Sequence, residues 1–249
     1  MKTDLRHPKE QQAALELQSN PLFSEASKAS SKWLVGAPAV AESIARKFPV
    51  TEATHPMLFS LYQNALKRLE MDRMYPLFLD FDYDVKADVL GHGKNCVLIL
   101  TSASLELLSD EELCASLGHA LAHIKYDHLK YLGMFQSLNT LPLPRTVSNA
   151  LVAPFLAWMQ AADYTADRAA AQAAGSKEAV VRMLQVSMGA GNSAPGIDSE
   201  RIFCNLHPEI DMEDMTIIGK TLLKQLISQT DCPWGVNRIH ELSLYEMQA

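Results

Sequence analysis

The sequence is poor in the features that mark secreted, membrane-spanning and nucleic-acid-binding proteins. It has only 4 cysteines in 249 residues and no C-x-x-C spacing, so neither a disulfide framework nor a cysteine metal site is predicted. Its 22 lysines and arginines are outnumbered by 29 acidic residues, and the resulting net charge of -7 argues against nucleic acid as a partner. The longest apolar stretch, residues 150–162, is shorter than the roughly 18 to 20 residues of a transmembrane helix, so no transmembrane segment is predicted. Residues 1–12 alternate charges without an apolar core, so we expect no secretory signal and a cytoplasmic location.

The composition that is present is typical of a folded protein. Hydrophobic residues make up 48% of the chain and charged residues 20%. The length suits one domain better than two, so we expect a single domain over residues 1–249. Within it we expect an N-terminal helical or variable region (1–53), a core (54–175) and a C-terminal helical region (176–249).

The hydrophobic pattern predicts an α+β fold with a small, mainly antiparallel sheet on a mostly helical body. Alternation and turn residues predict strands at 76–83, 87–90 and 96–101. Helical periodicity predicts helices at 54–73, 110–132, 153–174, 177–189 and 213–228. Ser109 and Glu112 form a capping-box pattern before the second helix, and Gly175 is placed to end the third in a left-handed conformation. The proline-containing residues 133–152 are read as a connection.

Two histidines on the predicted helix 110–132 form the first part of a candidate site. His119 and His123 are four residues apart, so both imidazoles lie on one helix face and could bind one zinc ion. The spacing alone is weak support, because a chain with 8 histidines contains such pairs by chance. Apolar neighbours indicate buried imidazoles that need a partner, and Gly118 would let another element approach closely. His128 is expected to point away from the pair and to face solvent or cap a neighbouring element.

Two aspartates on the predicted helix 153–174 form the second part. Asp163 and Asp167 share one helix face and could serve as a third metal ligand and as an acceptor for an imidazole N–H. The alternative is a solvated acidic surface paired with Arg168.

The order and spacing of these parts resemble a known family. The run CVLILTSASLELLSDEELCASLGHALAHIKYDH, followed by DYTADRAA, is similar to the HtpX-like and CAAX-prenyl-protease-like zinc metallopeptidases, also called minigluzincins. The resemblance covers roughly residues 77–174, with a fainter similarity at 233–242. It implies a zincin-like domain, one zinc ion, and a peptide or protein substrate.

The resemblance also implies roles for individual residues. His119 and His123 would be zinc ligands, Asp163 would stand at the position of a ligand glutamate, and Asp167 would hold an imidazole in place. An extended peptide would pair with a sheet edge. That edge would contain Ala87, Asp88 and Val89.

The most consequential departure from the family lies between the two histidines. The family motif H-E-x-x-H reads His119-Ala120-Leu121-Ala122-His123, so the glutamate that acts as general base is replaced by Ala120. A methyl group cannot carry a proton, and loss of a positioned acid or base typically costs about 10² to 10⁴ in rate. The chain is therefore predicted to be nearly inactive.

Two further departures affect the other helices. Asp163 is one methylene shorter than glutamate, so its helix must approach more closely for the carboxylate to reach a metal. Cys232 precedes Pro233, where the family more often has histidine, so a role for that position in binding the reacting carbonyl is in doubt. Arg238 matches the family and could brace the helix of Asp163.

Three functions stay open at this point. The retained ligand positions favour a zinc-dependent metalloendopeptidase in which position 120 was changed to trap substrate. A natural pseudopeptidase would instead be a zinc-stabilised module that binds peptides or proteins. The third is an interaction protein without metal, in which the two histidines are core residues hydrogen-bonded to the two aspartates. No oligomeric state is predicted.

Overall fold

The computed structural model describes residues 4–19, 37–132, 145–190 and 235–247, together with Pro21 and Phe23. Its helices are α1 (Pro8–Ser19), α2 (Ala37–Arg46), α3 (Pro56–Arg68), α4 (Ser102–Leu107), α5 (Asp110–Lys125), α6 (Arg145–Ala174), α7 (Lys177–Ser187) and α8 (Gly235–Ser243). Its strands are β1 (Phe48–Val50), β2 (Leu77–Asp80), β3 (Ala87–Leu90) and β4 (Val97–Thr101). The protein is therefore an α+β domain, mostly helical with a small sheet, as predicted. Among the described helices, none has both the length and the apolar composition that crossing a bilayer requires.

The sheet is mixed and places β3 at one edge. Its strand order is β1-β2-β4-β3, and the β1–β2 and β3–β4 pairs are antiparallel whereas β2–β4 is parallel. The central strand β4 is buried along its whole length, because it has neighbours on both sides and helices against it. The predicted strand 87–90 agrees with β3, and β2 is shorter than predicted. The three-residue strand β1 is too short to give a periodic signal, and it was not predicted.

Helix α5 begins as predicted but ends earlier. The capping box is present, since the Ser109 side chain accepts from the Glu112 N–H and the Glu112 carboxylate accepts from the Ser109 N–H at 2.9 Å. The helix ends at Lys125, and Asp127 adopts a left-handed conformation with φ of 58° before residues 128–132 turn helical again. Aspartate is among the few residues that tolerate this conformation. The continuous helix predicted over 110–132 is therefore wrong at this break.

Helix α6 begins earlier than predicted and ends where predicted. It starts at Arg145 and contains Pro154, so the connection predicted for residues 133–152 is wrong from position 145 onwards. The connection was predicted from Pro142, Pro144 and Asn149, and of these three only Asn149 lies within the helix. Gly175 ends the helix with φ of 77°. Residues 133–144, the predicted helix 213–228, Cys232 and Pro233 lie outside the described residues, and α8 has no counterpart among the predicted helices.

Small residues let α5 and α6 pack closely against each other. A Cβ atom at Gly118 would lie 2.4 Å from the Ala173 Cβ and 3.1 Å from the Ala170 Cα, so only glycine fits without a shift. The expectation that Gly118 permits a close approach is confirmed. At the other end of α6, a separate apolar cluster holds α1 against it, formed by Leu17, Phe23, Phe155, Trp158 and Ala162.

The described cysteines are packing residues. Cys96 and Cys114 are buried and form no disulfide. Burial raises the pKa of the Cys96 thiol to about 11, so it stays protonated near neutral pH. Cys204 and Cys232 lie outside the described residues.

Candidate metal centre

Helices α5 and α6 bring the predicted ligand residues together. The Nε2 atoms of His119 and His123 are 3.3 Å apart. An Asp163 Oδ1 atom on α6 lies 4.0 Å from the His119 Nε2 and 3.7 Å from the His123 Nε2. Within the described ranges, these three residues form a group whose ligand atoms lie close enough together to hold one metal ion.

The size of this triangle fits a tetrahedral ion. Bonds of about 2.0 to 2.1 Å at tetrahedral angles place neighbouring ligand atoms about 3.4 Å apart. The observed edges of 3.3, 3.7 and 4.0 Å run from just below that value to about 0.6 Å above it, so the Asp163 carboxylate would move a few tenths of an ångström towards the histidines on binding an ion. Two imidazoles and one carboxylate are also a donor set that zinc accepts. The residues present therefore fit a zinc ion.

The electronic state of His123 suits a metal ligand. Burial, followed by the nearby His119 and His128, lowers the pKa of His123 well below its ordinary value of 6.5. The imidazole is thus neutral near pH 7 and keeps a lone pair for coordination.

A buried ion pair orients the first histidine. The His119 Nδ1–H donates to the Asp167 Oδ1 at 3.0 Å. Arg238 on α8 donates from Nε to the Asp167 Oδ2 at 2.8 Å and from Nη2 to Oδ1 at 2.5 Å. Burial alone would raise the pKa of Asp167, but Arg238 and the bond from His119 outweigh it and hold the pKa well below its usual range. Asp167 lies on α6, so the expectation that Arg238 braces the helix of Asp163 is confirmed.

The acidic surface considered as an alternative is not found. Asp167 is only 1% exposed and its partner is Arg238 rather than Arg168. The guanidinium of Arg168 contacts the Arg6 carbonyl and lies over the Tyr245 ring.

His128 lies beside the second histidine, and the prediction that it points away is wrong. Its Nδ1 is 3.0 Å from the His123 Nδ1, and its side chain is buried at 3% exposure. A continuous helix would carry residue 128 to another face, but the left-handed Asp127 reverses the chain and returns the imidazole towards α5. The sequence does not reveal that break, so the five-residue spacing of His123 and His128 does not predict their contact.

A buried glutamate on α1 completes this second set of contacts. The His128 Nε2 is 3.1 Å from the Glu10 Oε1, and the other Glu10 oxygen accepts from the Thr165 hydroxyl. Glu10 is 5% exposed. Sequence reasoning missed Glu10, because it lies more than a hundred residues from its partners, in a segment predicted only as an N-terminal helical or variable region.

The predicted substrate strand lies next to the candidate metal centre. A cavity of about 240 Å³ is bordered by His119, His123 and Asp163 and by part of β3. The residues that β3 contributes are Ala87, Asp88 and Val89. The remaining wall is largely apolar and includes Leu129, Trp158 and Met159. Part of β3 and the three candidate ligand residues thus border one space.

Ala120 is placed differently from its neighbours. It is fully buried in the main hydrophobic core and is not among the residues that line the cavity. The methyl group therefore packs against apolar side chains, and it offers no proton-transfer group.

Known proteins resemble the chain in sequence. The family model described as Peptidase family M48 matches residues 78–243, about two thirds of the chain. A curated relative from Arabidopsis thaliana, the plastoglobule-localized metallopeptidase 48, chloroplastic, is 26% identical over 245 residues, which cover 96% of this chain and 71% of the relative. No solved structure matches the chain.

Proposed function

The chain belongs to peptidase family M48, and we propose that it is a zinc metalloendopeptidase scaffold whose one metal ion is held by His119, His123 and Asp163. The family supports metallopeptidase chemistry and a peptide or protein substrate, and the description of the Arabidopsis relative as a metallopeptidase points to the same class. The observation that carries the zinc proposal is the triangle of ligand atoms with edges of 3.3, 3.7 and 4.0 Å.

Each element of the site would have a defined task. A bound zinc ion would supply a Lewis acid that acidifies a water molecule and polarises a peptide carbonyl. Asp167 would keep the His119 ring oriented, with Arg238 holding the carboxylate. The edge of β3 opposite β4, which pairs with no other described strand, would bind an extended peptide through backbone hydrogen bonds, with Ala87, Asp88 and Val89 facing the peptide.

Ala120 determines how far the reaction can go. At the position where the family has its general base, this chain has a side chain that cannot accept a proton from water or return one to the leaving amine. We propose that peptide binding is retained and hydrolysis is lost, as expected for a form altered at position 120 to trap substrate.

A second candidate is a natural pseudopeptidase that binds peptides or proteins. The observation that favours it is the complete burial of Ala120, whose methyl group fits the core as a native apolar residue would. In this case zinc would stabilise the fold, and the cavity beside β3 would bind a peptide without cleaving it.

The test compares the protein as it stands with its A120E variant. Zinc content would be measured on freshly purified protein, and cleavage would be measured against a mixed peptide library. A120Q is the matched control, because it has nearly the same size and no ionisable group. H119A reports whether the zinc occupies the proposed site.

The outcomes separate the candidates. If both proteins bind one zinc and only A120E cleaves, the scaffold is a metallopeptidase with one altered residue. If both bind zinc and neither cleaves although A120E is folded, the binding module is correct. If the purified protein contains no zinc, or contains zinc that H119A does not remove, both candidates are wrong and the metal-free interaction protein replaces them.

A cytoplasmic location is a further proposal, to be checked by fractionation.

A further inference from the structure

The two candidate ligand histidines are supported by different chemical groups. His119 donates directly to a carboxylate, that of Asp167. The Nδ1 atom of His123, on the side of the ring away from Asp163, reaches a carboxylate through a second imidazole, in the order His123, His128, Glu10. The second arrangement therefore extends from α5 across the break at residue 127 to helix α1.

Proton positions along this second path follow from the hydrogen bonds. If the His123 Nε2 faces the metal with its lone pair, its proton is on Nδ1 and donates to the His128 Nδ1 at 3.0 Å. His128 then carries its own proton on Nε2 and donates it to the Glu10 Oε1 at 3.1 Å. Every donor meets an acceptor in this arrangement with both rings neutral. The reverse tautomer of His128 would set two N–H groups against each other.

Glu10 is held in place at both oxygens. Its second oxygen accepts from the Thr165 hydroxyl, and that hydroxyl accepts from the His7 N–H at 2.8 Å. Glu10 is 5% exposed, and Thr165 on α6 is fully buried. A carboxylate buried this completely is costly unless its hydrogen bonds are made. Helix α1 is therefore positioned so that Glu10 can accept a hydrogen bond from the His128 imidazole.

We propose that His128 and Glu10 are positioning residues for the zinc ligand His123, so that helix α1 is a component of the metal centre. The inference rests on the proposed zinc site. Outer partners of a ligand imidazole fix its tautomer and orientation, and their loss typically lowers metal affinity about 10- to 100-fold. Glu10 lies outside residues 78–243, so the family match does not supply this contact.

The experiment measures the zinc dissociation constant of the full chain by competition with a chromogenic chelator. H128F keeps an aromatic ring beside Tyr126 and Trp158 but removes both ring nitrogens. E10A removes the carboxylate, and E10Q replaces it with a neutral acceptor of the same shape. We expect the dissociation constant to rise about 10- to 100-fold in H128F and E10A and by less in E10Q.

Y126F is the matched control. The Tyr126 hydroxyl accepts from the Leu5 N–H at 3.2 Å, so its removal loosens the N-terminal segment without touching the path from His123 to Glu10. Its zinc affinity should equal that of the parent protein. If Y126F loses as much affinity as E10A, the effect belongs to general packing and the inference is overturned.

A second measurement needs no variant. In zinc-loaded protein labelled with ¹⁵N-histidine, long-range ¹H–¹⁵N spectra should show the His123 proton on Nδ1 and the His128 proton on Nε2. The opposite tautomer of His128 would overturn the inference even if a variant failed to fold.

The two proposals fail in different ways. If the parent binds zinc through His119 but H128F and E10A bind it as tightly, this inference is wrong and the zinc site stands. If the parent binds no zinc, both are wrong.

Discussion

At the scale of single residues, the proposed role of Asp163 requires a short side chain to stand where the family resemblance implies a longer one. Its Oδ1 atom reaches within 3.7 Å of the His123 Nε2 and 4.0 Å of the His119 Nε2. Helices α5 and α6 come close enough for this because small residues, Gly118 and Ala173 among them, lie between them. This close packing supports the proposal that an aspartate serves as the third ligand.

We predict that D163N and D163A bind zinc at least about tenfold more weakly than the parent, since losing an outer partner alone costs about 10- to 100-fold. D163E should stay much nearer the parent, because the longer carboxylate still faces the two Nε2 atoms. Chelator competition measures all three. Unchanged affinity in D163A would remove Asp163 from the ligand set.

The sequence predicts residues at the site when their signal is local. His119 and His123 share a helix face by spacing alone, and the same holds for Asp163 and Asp167. Glu10 gave no such signal, because its partners come from two distant helices and its contact depends on how α1 packs.

At the scale of elements, helix boundaries were predictable where capping residues marked them. The capping box at Ser109 and the glycine at position 175 each fixed one end of a helix correctly. Lys125 carries no comparable signal, and the end of α5 there depends on a left-handed aspartate that composition does not reveal. The start of α6 was predicted too late, because the prolines within residues 133–152 indicated a connection as far as residue 152, whereas the helix begins at Arg145. The misplaced His128 follows from the first of these two errors.

The contact between α5 and α6 leads to a prediction about Gly118. G118A should lower the free energy of unfolding, because overpacking costs about 1 to 3 kcal/mol whereas the gain in helix propensity is about 1 kcal/mol at most. It should also weaken zinc binding, since the helices that carry the ligands would be pushed apart. Urea denaturation and chelator competition measure the two effects.

The matched variant is A173G, which removes the methyl group that a Cβ at position 118 would meet at 2.4 Å. The G118A/A173G double variant should lose less stability than the sum of the single variants. Additive losses would show that the two positions do not meet in solution.

At the scale of the whole molecule, the N-terminal segment connects the candidate metal centre to helix α8. Glu10 is linked to His123 through His128. His7 lies three residues earlier, and its Nε2 is 3.1 Å from the Glu241 Oε2 on α8. Burial lowers the pKa of His7, the nearby Arg168 adds to the effect, and Glu241 opposes it without reversing it. His7 and His123 are thus two histidines whose protonation the fold disfavours.

This predicts that acid destabilises the metal-free protein well before its carboxylates titrate. Above the unfolded pKa of about 6.5, a histidine whose folded pKa is lowered is neutral in both states and does not change the free energy of unfolding. Below that pH, the unfolded chain binds more protons than the folded one, so the folded state is destabilised. Stability should therefore fall from about pH 6.5 downwards, by at most about 1.4 kcal/mol per pH unit for each such histidine. Asp167 has the opposite shift, and its contribution is lost only below its ordinary pKa of 3.8.

Urea unfolding of the metal-free protein at pH 7.5, 6.5 and 5.5 measures this dependence. H7Q should give a shallower slope than the parent below pH 6.5, because it removes one of the two histidines that resist protonation. Zinc should stabilise the parent most at pH 7.5 and least at pH 5.5, since the ligand histidines must be unprotonated to bind it. A free energy of unfolding that stays constant from pH 7.5 to 5.5 without metal would show that neither histidine is held neutral by the fold.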